Sequence, residues 1–219
     1  MKLLITAGPT REAIDPVRFL SNRSSGKMGY ALTAAALALG HEVRLVSGPV
    51  RLTPPAGAKF IAVESARQMF EAVRESIGGC DIAIFTAAVA DYRPANPSAQ
   101  KLKKSAPSLM LELERTEDIL GSARGAFGLT GYLVGFAAET ENLLENARAK
   151  LAAKGCDLVV ANDVSQPGVG FDSEENAVTL CFASGSSVSC QGSQKRRSPT
   201  ACWRKSPRAL PDPFARPAN

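Results

Sequence analysis

Short apolar runs that alternate with helical patterns constrain this chain more than any other feature. Leu3–Ala7, Glu42–Val46, Lys59–Val63, Asp81–Ala87, Tyr132–Phe136 and Asp157–Ala161 read as strands. Gly26–Leu39, Ala66–Ser76 and Glu141–Lys154 carry the helical period. Strands that take turns with helices are joined by crossovers, so the sheet they build is mostly parallel and covered by helices. The expected class is α/β, a Rossmann-like three-layer sandwich.

In an open parallel sheet the carboxyl ends of the strands face one crevice. Here each strand runs into small or polar residues: Gly8-Pro9-Thr10, Ser47-Gly48-Pro49, Ala87 to Asp91, Ala137 to Thr140, and Asn162-Asp163. Singly these are ordinary turn chemistry, and together they outline a polar mouth. The densest stretch is Asn22-Arg23-Ser24-Ser25-Gly26-Lys27-Met28-Gly29, at the entrance of an Ala- and Leu-rich helix. The free N–H groups and dipole of that helix would favour an anion held by Ser24, Ser25 and Lys27, with phosphate the expected guest. A serine-rich N-cap is the plainer reading of the same residues.

Composition narrows the classes. A chain of 219 residues, 45% of them hydrophobic, suits a single domain with a sizeable core. The net charge of +5 suggests a polyanion partner, but residues 1–181 hold 19 Lys+Arg against 20 Asp+Glu. The basic excess lies in residues 182–219, so a nucleic-acid partner is not expected of the domain. Five cysteines, Cys80, Cys156, Cys181, Cys190 and Cys202, show no zinc spacing and fit reduced thiols. With His41 the only histidine, a His-based metal site or a Ser-His-Asp triad is not expected. The opening apolar run breaks at Gly8, Pro9 and Arg11, too early for a signal sequence, and none approaches the roughly 20 residues of a membrane span. A cytoplasmic location without membrane contact follows as the expectation.

Two segments escape the pattern. Residues 92–108 are rich in Lys, Pro and Ser, and a loop of that length reads as a mobile flap. In extended backbone Lys101 and Lys103 face one side, so both could close on a polyphosphate; a solvated basic loop fits the spacing as well. Residues 182–219 hold five of the 14 prolines and no sustained period. They are expected to form a basic tail outside the domain of residues 1–181, either disordered or read out of an ancestral frame.

The segments ITAGPTREAIDPVRFLSNRSSGKMG (5–29), FTAAVADYRP (85–94), KLKK (101–104), VGFAAET (134–140) and ANDVSQPGVGF (161–171) resemble the bacterial phosphopantothenoylcysteine synthetases, or phosphopantothenate-cysteine ligases. The likeness runs to about Leu180. It implies a ligase of coenzyme A biosynthesis: CTP activates 4'-phosphopantothenate as an acyl-cytidylate, and L-cysteine displaces CMP. It also implies Mg2+, a homodimer, and no flavin in this part, since the family's flavin-dependent decarboxylase half is not seen in the sequence. Carboxylate activation by a triphosphate depends on charge neutralisation and alignment, so lysines and oriented amides can serve without histidine.

Residue by residue, the resemblance makes Asn22 and Lys101 the catalytic pair, the first donating its amide to the acyl-phosphate region, the second neutralising the triphosphate. It assigns nucleotide binding to the main chain of Phe85, Thr86 and Ala87, to Asp91, Glu117, Asp118, Ile119 and Leu120, and to Phe136, Lys150 and Lys154. Arg11 and Arg18, with Ser24, Ser25 and Lys27, are the candidates for the substrate phosphate; no metal ligand set can be named. The chain departs from the family at Thr116-Glu117-Asp118-Ile119, where a proline before the aspartate is usual, and in its tail, which lacks the family's final strand and helix. Two other outcomes stay open: an inactive member of the family, and a NAD(P)-dependent oxidoreductase. The second has against it Gly-Pro-Thr-Arg in place of G-x-G-x-x-G, and no acidic end to the next strand.

Overall fold

The computed structural model of the chain describes residues 1–104, 107–139, 141–163 and 175–194. Six parallel strands form the body of one sheet: β1 (Lys2–Ala7), β4 (Glu42–Ser47), β5 (Lys59–Ala62), β6 (Ile82–Phe85), β9 (Tyr132–Glu139) and β10 (Leu158–Asp163). Their spatial order is β5-β4-β1-β6-β9-β10, so the chain winds outward from β1 in one direction and then in the other. That reversal opens a crevice between β1 and β6, the switch point of a doubly wound fold. The inner strands are apolar on both faces because both are covered, as Leu3, Leu4, Ile5 and Leu45, all fully buried, show, whereas the edge strand β5 is largely exposed.

Helices complete the three layers. α1 (Lys27–Ala38) packs Tyr30, Leu32 and Ala36 on one face with Leu3, Ile5, Val43 and Leu45. The other face takes α2 (Ala66–Ser76), α3 (Ile119–Ser122) and α4 (Leu143–Lys154), through Met69, Val73, Ile119 and Ala147. α2 starts at a capping box in which Ser65 and Gln68 satisfy each other's backbone N–H, and the buried Glu12 carboxylate accepts from Ala66 N–H at 2.8 Å. α1 ends in a glycine turn: Gly40 has φ 81°, and His41 N–H donates back to Ala36, which makes His41 a buried helix-end residue.

Two short hairpins were not legible as strands: β2 (Arg11–Ala13) with β3 (Phe19–Ser21), and β7 (Tyr92–Pro94) with β8 (Leu113–Arg115). The second corrects the limits of the flap, whose first residues are a strand and whose base extends to Arg115. Three-residue strands are too short to show a period of two, and pairing with distant residues stabilises them. Residues 105–106 lie outside the described part.

The tail also departs from expectation. β11 (Glu175–Phe182) pairs antiparallel with β10, and β12 (Ser187–Gln194) pairs antiparallel with β11. The part of the tail up to residue 194 therefore continues the sheet, and Val188 packs on the core beside buried Val178, Leu180 and Phe182. A hairpin strand with one inward Val among Ser and Gln offers almost no apolar pattern; its partner strand supplies the register. Residues 195–219, also expected as tail, lie outside the described part, as do Thr140 and residues 164–171 of the fifth motif. Among the described residues no helix is long and apolar enough to cross a membrane. Cys80, Cys156 and Cys181 are buried free thiols.

Candidate functional site

The carboxyl ends of β1, β6, β9 and β10 open into one cleft of about 800 Å³ at the switch point. Its floor is the chain leaving β6, Phe85 to Val89, with Thr6 from β1. One wall is the loop Asn22 to Gly29, entering α1; the opposite wall is Phe136 to Ala138 with Lys150 and Lys154 of α4; Asp91 and Arg115 to Leu120 form the rim.

Glycines let the α1 wall approach. Gly26 has φ 74°, which turns the loop into the helix, and offers no side chain to cap it, so the positive end of the helix dipole stands at the cleft. A Cβ on Gly29 would lie 2.5 Å from the Ala7 Cβ and 2.6 Å from the Thr86 hydroxyl. Only glycine brings this helix start against the β1–β6 junction.

Most of the expected site residues meet here: Asn22, Ser24, Ser25 and Lys27; Phe85, Thr86, Ala87 and Asp91; Glu117 to Leu120; Phe136, Lys150 and Lys154. Three do not line the cleft. Arg11 lies over the Phe19 ring at 4.6 Å, and Arg18 holds the Asp15 carboxylate at 2.5 Å and the Leu102 carbonyl at 3.0 Å. Lys101 is exposed beside that contact. Asn22 lines the cleft but spends its amide differently from expectation: Nδ2 donates to the carbonyls of Ala88 and Val89, both at 3.1 Å. Two facing carbonyls fix the orientation of the amide, and a ligand would receive an N–H from it only in exchange for one of these.

The charged residues are tied down. Lys150 Nζ donates to the Phe136 carbonyl at 2.6 Å, and burial lowers its pKa from the ordinary lysine value. Lys154 meets Asp118 at 2.5 Å, while Asp118 also caps α3 through Gly121 N–H at 2.9 Å. Burial works to raise the Asp118 pKa, but the bonds from Lys154 and Gly121 outweigh it and leave the carboxyl lowered. Glu117 follows the same balance: burial opposes ionisation, and its own backbone N–H together with Arg93, which donates to both oxygens at 3.1 and 3.0 Å, leaves its pKa lowered. Arg93 also reaches Glu114 at 2.8 Å, and Arg67 of α2 stands 3.5 Å from Glu117. The Glu117 carboxylate is thus a tie between the β7–β8 hairpin, the rim and α2.

Thr6, Met69, Arg115 and Thr116 line the cleft without having been singled out for it. Ala137, Ala138 and Asn162 belonged to the polar strand ends, which is signal enough; Arg115 and Thr116 arrive through the unforeseen β7–β8 hairpin. Among the described residues no group of three His, Cys, Asp or Glu side chains forms a metal cage. Asp91, an exposed carboxylate in a cleft of hydroxyls and lysines, suits a Mg2+ held mainly by phosphate oxygens.

Comparison with known proteins gives concordant results. The family described as "DNA/pantothenate metabolism flavoprotein C-terminal domain" matches residues 1–205. The coenzyme A biosynthesis bifunctional protein CoaBC of Bacillus subtilis is 54% identical over 184 residues, 84% of this chain and 45% of that protein. The chain thus spans about half the length of the curated relatives it matches. Among solved structures, the C-terminal domain of a coenzyme A biosynthesis bifunctional protein CoaBC is 44% identical with a TM-score of 0.75, over 90% of this chain and 88% of that one. A DNA/pantothenate metabolism flavoprotein from Streptococcus pneumoniae, 24% identical, shares the fold at a TM-score of 0.77 over 90% and 94% of the two chains.

Proposed function

Since the chain belongs to the family of DNA/pantothenate metabolism flavoprotein C-terminal domains, we propose that it is a phosphopantothenate-cysteine ligase of coenzyme A biosynthesis, using CTP in the cytoplasm. A carboxylate oxygen of 4'-phosphopantothenate attacks the α-phosphorus of CTP and pyrophosphate leaves. The amine of L-cysteine then attacks the acyl carbon, CMP leaves, and phosphopantothenoylcysteine is formed. The observation that carries this reading is the convergence of the α1 wall, the strand ends and the α4 lysines on one cleft at the switch point.

In this reading the main chain of Phe85 to Ala87 reads the cytosine edge and Phe136 packs on the base. Lys150 and Lys154 face the nucleotide, and Asp91 is the residue to hold Mg2+, which when bound neutralises triphosphate charge. Ser24, Ser25 and Lys27, at the start of α1, receive the substrate phosphate. Asn22 orients the reacting groups by bracing the Ala88–Val89 turn, and Lys101 comes from the flap to the triphosphate. Arg11 and Arg18, already engaged with Phe19 and Asp15, are not proposed as phosphate ligands.

A homodimer is part of the proposal. Val17, Phe19, Tyr92, Leu109, Met110 and Leu113 are exposed on or beside the two hairpins, which touch through β2 and β7. Such apolar surface gathered on one projection suits a second copy of the chain. Sedimentation of a dimer that dissociates in a Phe19→Lys variant would bear this out, and a monomer at micromolar concentration would refute it.

Pyrophosphate release tests the activity, with CTP, Mg2+ and 4'-phosphopantothenate, with and without cysteine, and with ATP in parallel. Cysteine-dependent turnover with CTP is expected. Folded protein that releases none would make this an inactive member of the family. Nothing in the structure favours the oxidoreductase: the second parallel strand ends in Ser47, 1% exposed and bonded to the Tyr30 hydroxyl, where a ribose-binding acid would be required.

A further inference from the structure

The geometry points to Asp15 as a positioning residue that places the lysines of the flap by holding the main chain of Leu102; the inference rests on the reading above, in which Lys101 acts on the triphosphate. Asp15 is buried, 3% exposed, and its two carboxylate oxygens divide the work. Oδ1 accepts from Val17 N–H at 2.9 Å and Arg18 N–H at 2.8 Å, closing the Asp15-Pro16-Val17-Arg18 turn. Oδ2 accepts from the Arg18 guanidinium at 3.0 and 2.5 Å and from Leu102 N–H at 3.1 Å. The same guanidinium donates to the Leu102 carbonyl at 3.0 Å, so both polar groups of one distant residue are gripped by one ion pair. Ser98 N–H donates to the Ile14 carbonyl at 2.9 Å and gives the flap a second point of attachment.

A grip of this kind specifies register. Apolar contact would hold a loop in several nearby placements, whereas the N–H and the carbonyl of one residue on a fixed acceptor and donor hold the two peptide units that flank it. Leu102 stands between Lys101 and Lys103, both exposed, so fixing it fixes where the two cations leave the main chain. The Arg18 bond also holds the Asp15 carboxyl far below the ordinary carboxylate range against its burial, so the grip is charged throughout the neutral range.

Asp15→Asn separates the two oxygens. The amide oxygen can keep the turn closed, while the amide NH2 faces the Leu102 N–H and the guanidinium, donor against donor. Leu102→Pro removes the flap N–H that Asp15 accepts without touching Asp15, and it decides the matter if Asp15→Asn fails to fold. Expected for both are hydrogen exchange of residues 98–101, and of Leu102 in Asp15→Asn, at least about tenfold faster and kcat lower by about 10- to 100-fold, with the KM for CTP within about threefold of wild type. Added to Lys101→Gln, either change should slow the enzyme no further. Unchanged exchange, or losses that multiply with Lys101→Gln, would overturn the proposal. If Lys101→Gln alone turns over like wild type, the reading of the flap fails and the positioning role falls with it. A slow Lys101→Gln beside a fast Asp15→Asn removes the positioning role only.

Discussion

The chain places cations in two contrasting ways. Lys150 and Lys154 stand one helical turn apart on α4, and each is held at its own ammonium, by the Phe136 carbonyl and by Asp118. Lys101 and Lys103 sit on irregular backbone, and what is held is the residue between them. A helix fixes its side chains by its own hydrogen-bond ladder, so the anchors of α4 need only aim two side chains. A loop has no ladder, and its placement must come from elsewhere in the chain, here from a carboxylate 87 residues away. In the proposed ligase the difference would separate preformed binding from a contact that must be assembled.

The sharpest way to break this contrast is Lys101→Gln, expected to lower kcat by about 100-fold, the scale of a lost transition-state contact. A rise in the KM for CTP with kcat unchanged would instead make the flap an ordinary binding element. Lys150→Met should behave in the opposite sense, raising the KM for CTP about tenfold with kcat within about threefold of wild type, as expected for loss of a charged hydrogen bond. Steady-state kinetics on the two variants side by side reads both.

A smaller effect tests the dry packing beneath Lys150. Burial pushes the nearby Cys156 thiol up to about 11, so the folded state holds that proton more tightly than the unfolded chain. Its contribution is complete below the unfolded thiol pKa near 8.5 and is lost as pH rises through the folded value. Unfolding free energy should fall by about 2 to 3 kcal/mol more in wild type than in Cys156→Ala between pH 8 and 11. Parallel curves from urea titrations would contradict this. The least effect is expected of Asp118→Asn: Asp118 is half exposed, and surface pairs contribute about 0.2–1 kcal/mol, so the KM for CTP should change by less than about fivefold.

Much of the cleft was readable because it uses local signals. The Asn22–Gly29 loop announces itself by polarity at a helix entrance, and its glycines do what glycine alone can do, as Gly29 against Ala7 and Thr86 shows. Lys150 and Lys154 share a helix face by spacing alone. The hairpins β2–β3 and β7–β8 had no such signal, and with them went Arg115, Thr116 and the roles of Arg67 and Arg93. The serine-rich stretch Ser187–Gln194 was misread as tail for the same reason: its strand state depends on β11 beside it.

Amino-acid order alone determined the alternation of strands and helices, the polar strand ends and the polar, glycine-bearing entrance to α1, because each rests on residues within one or two turns of one another. Tertiary structure decided that the strands run β5-β4-β1-β6-β9-β10, and so where the crevice lies. It also decided that Arg18 serves Asp15 and Leu102, that Asn22 braces Ala88 and Val89, and that Glu117 ties the rim to Arg93. Periodicity and turn chemistry are short-range properties of the chain. The partner that takes a buried or half-buried charge is chosen by which distant backbone the packed sheet brings within hydrogen-bond reach.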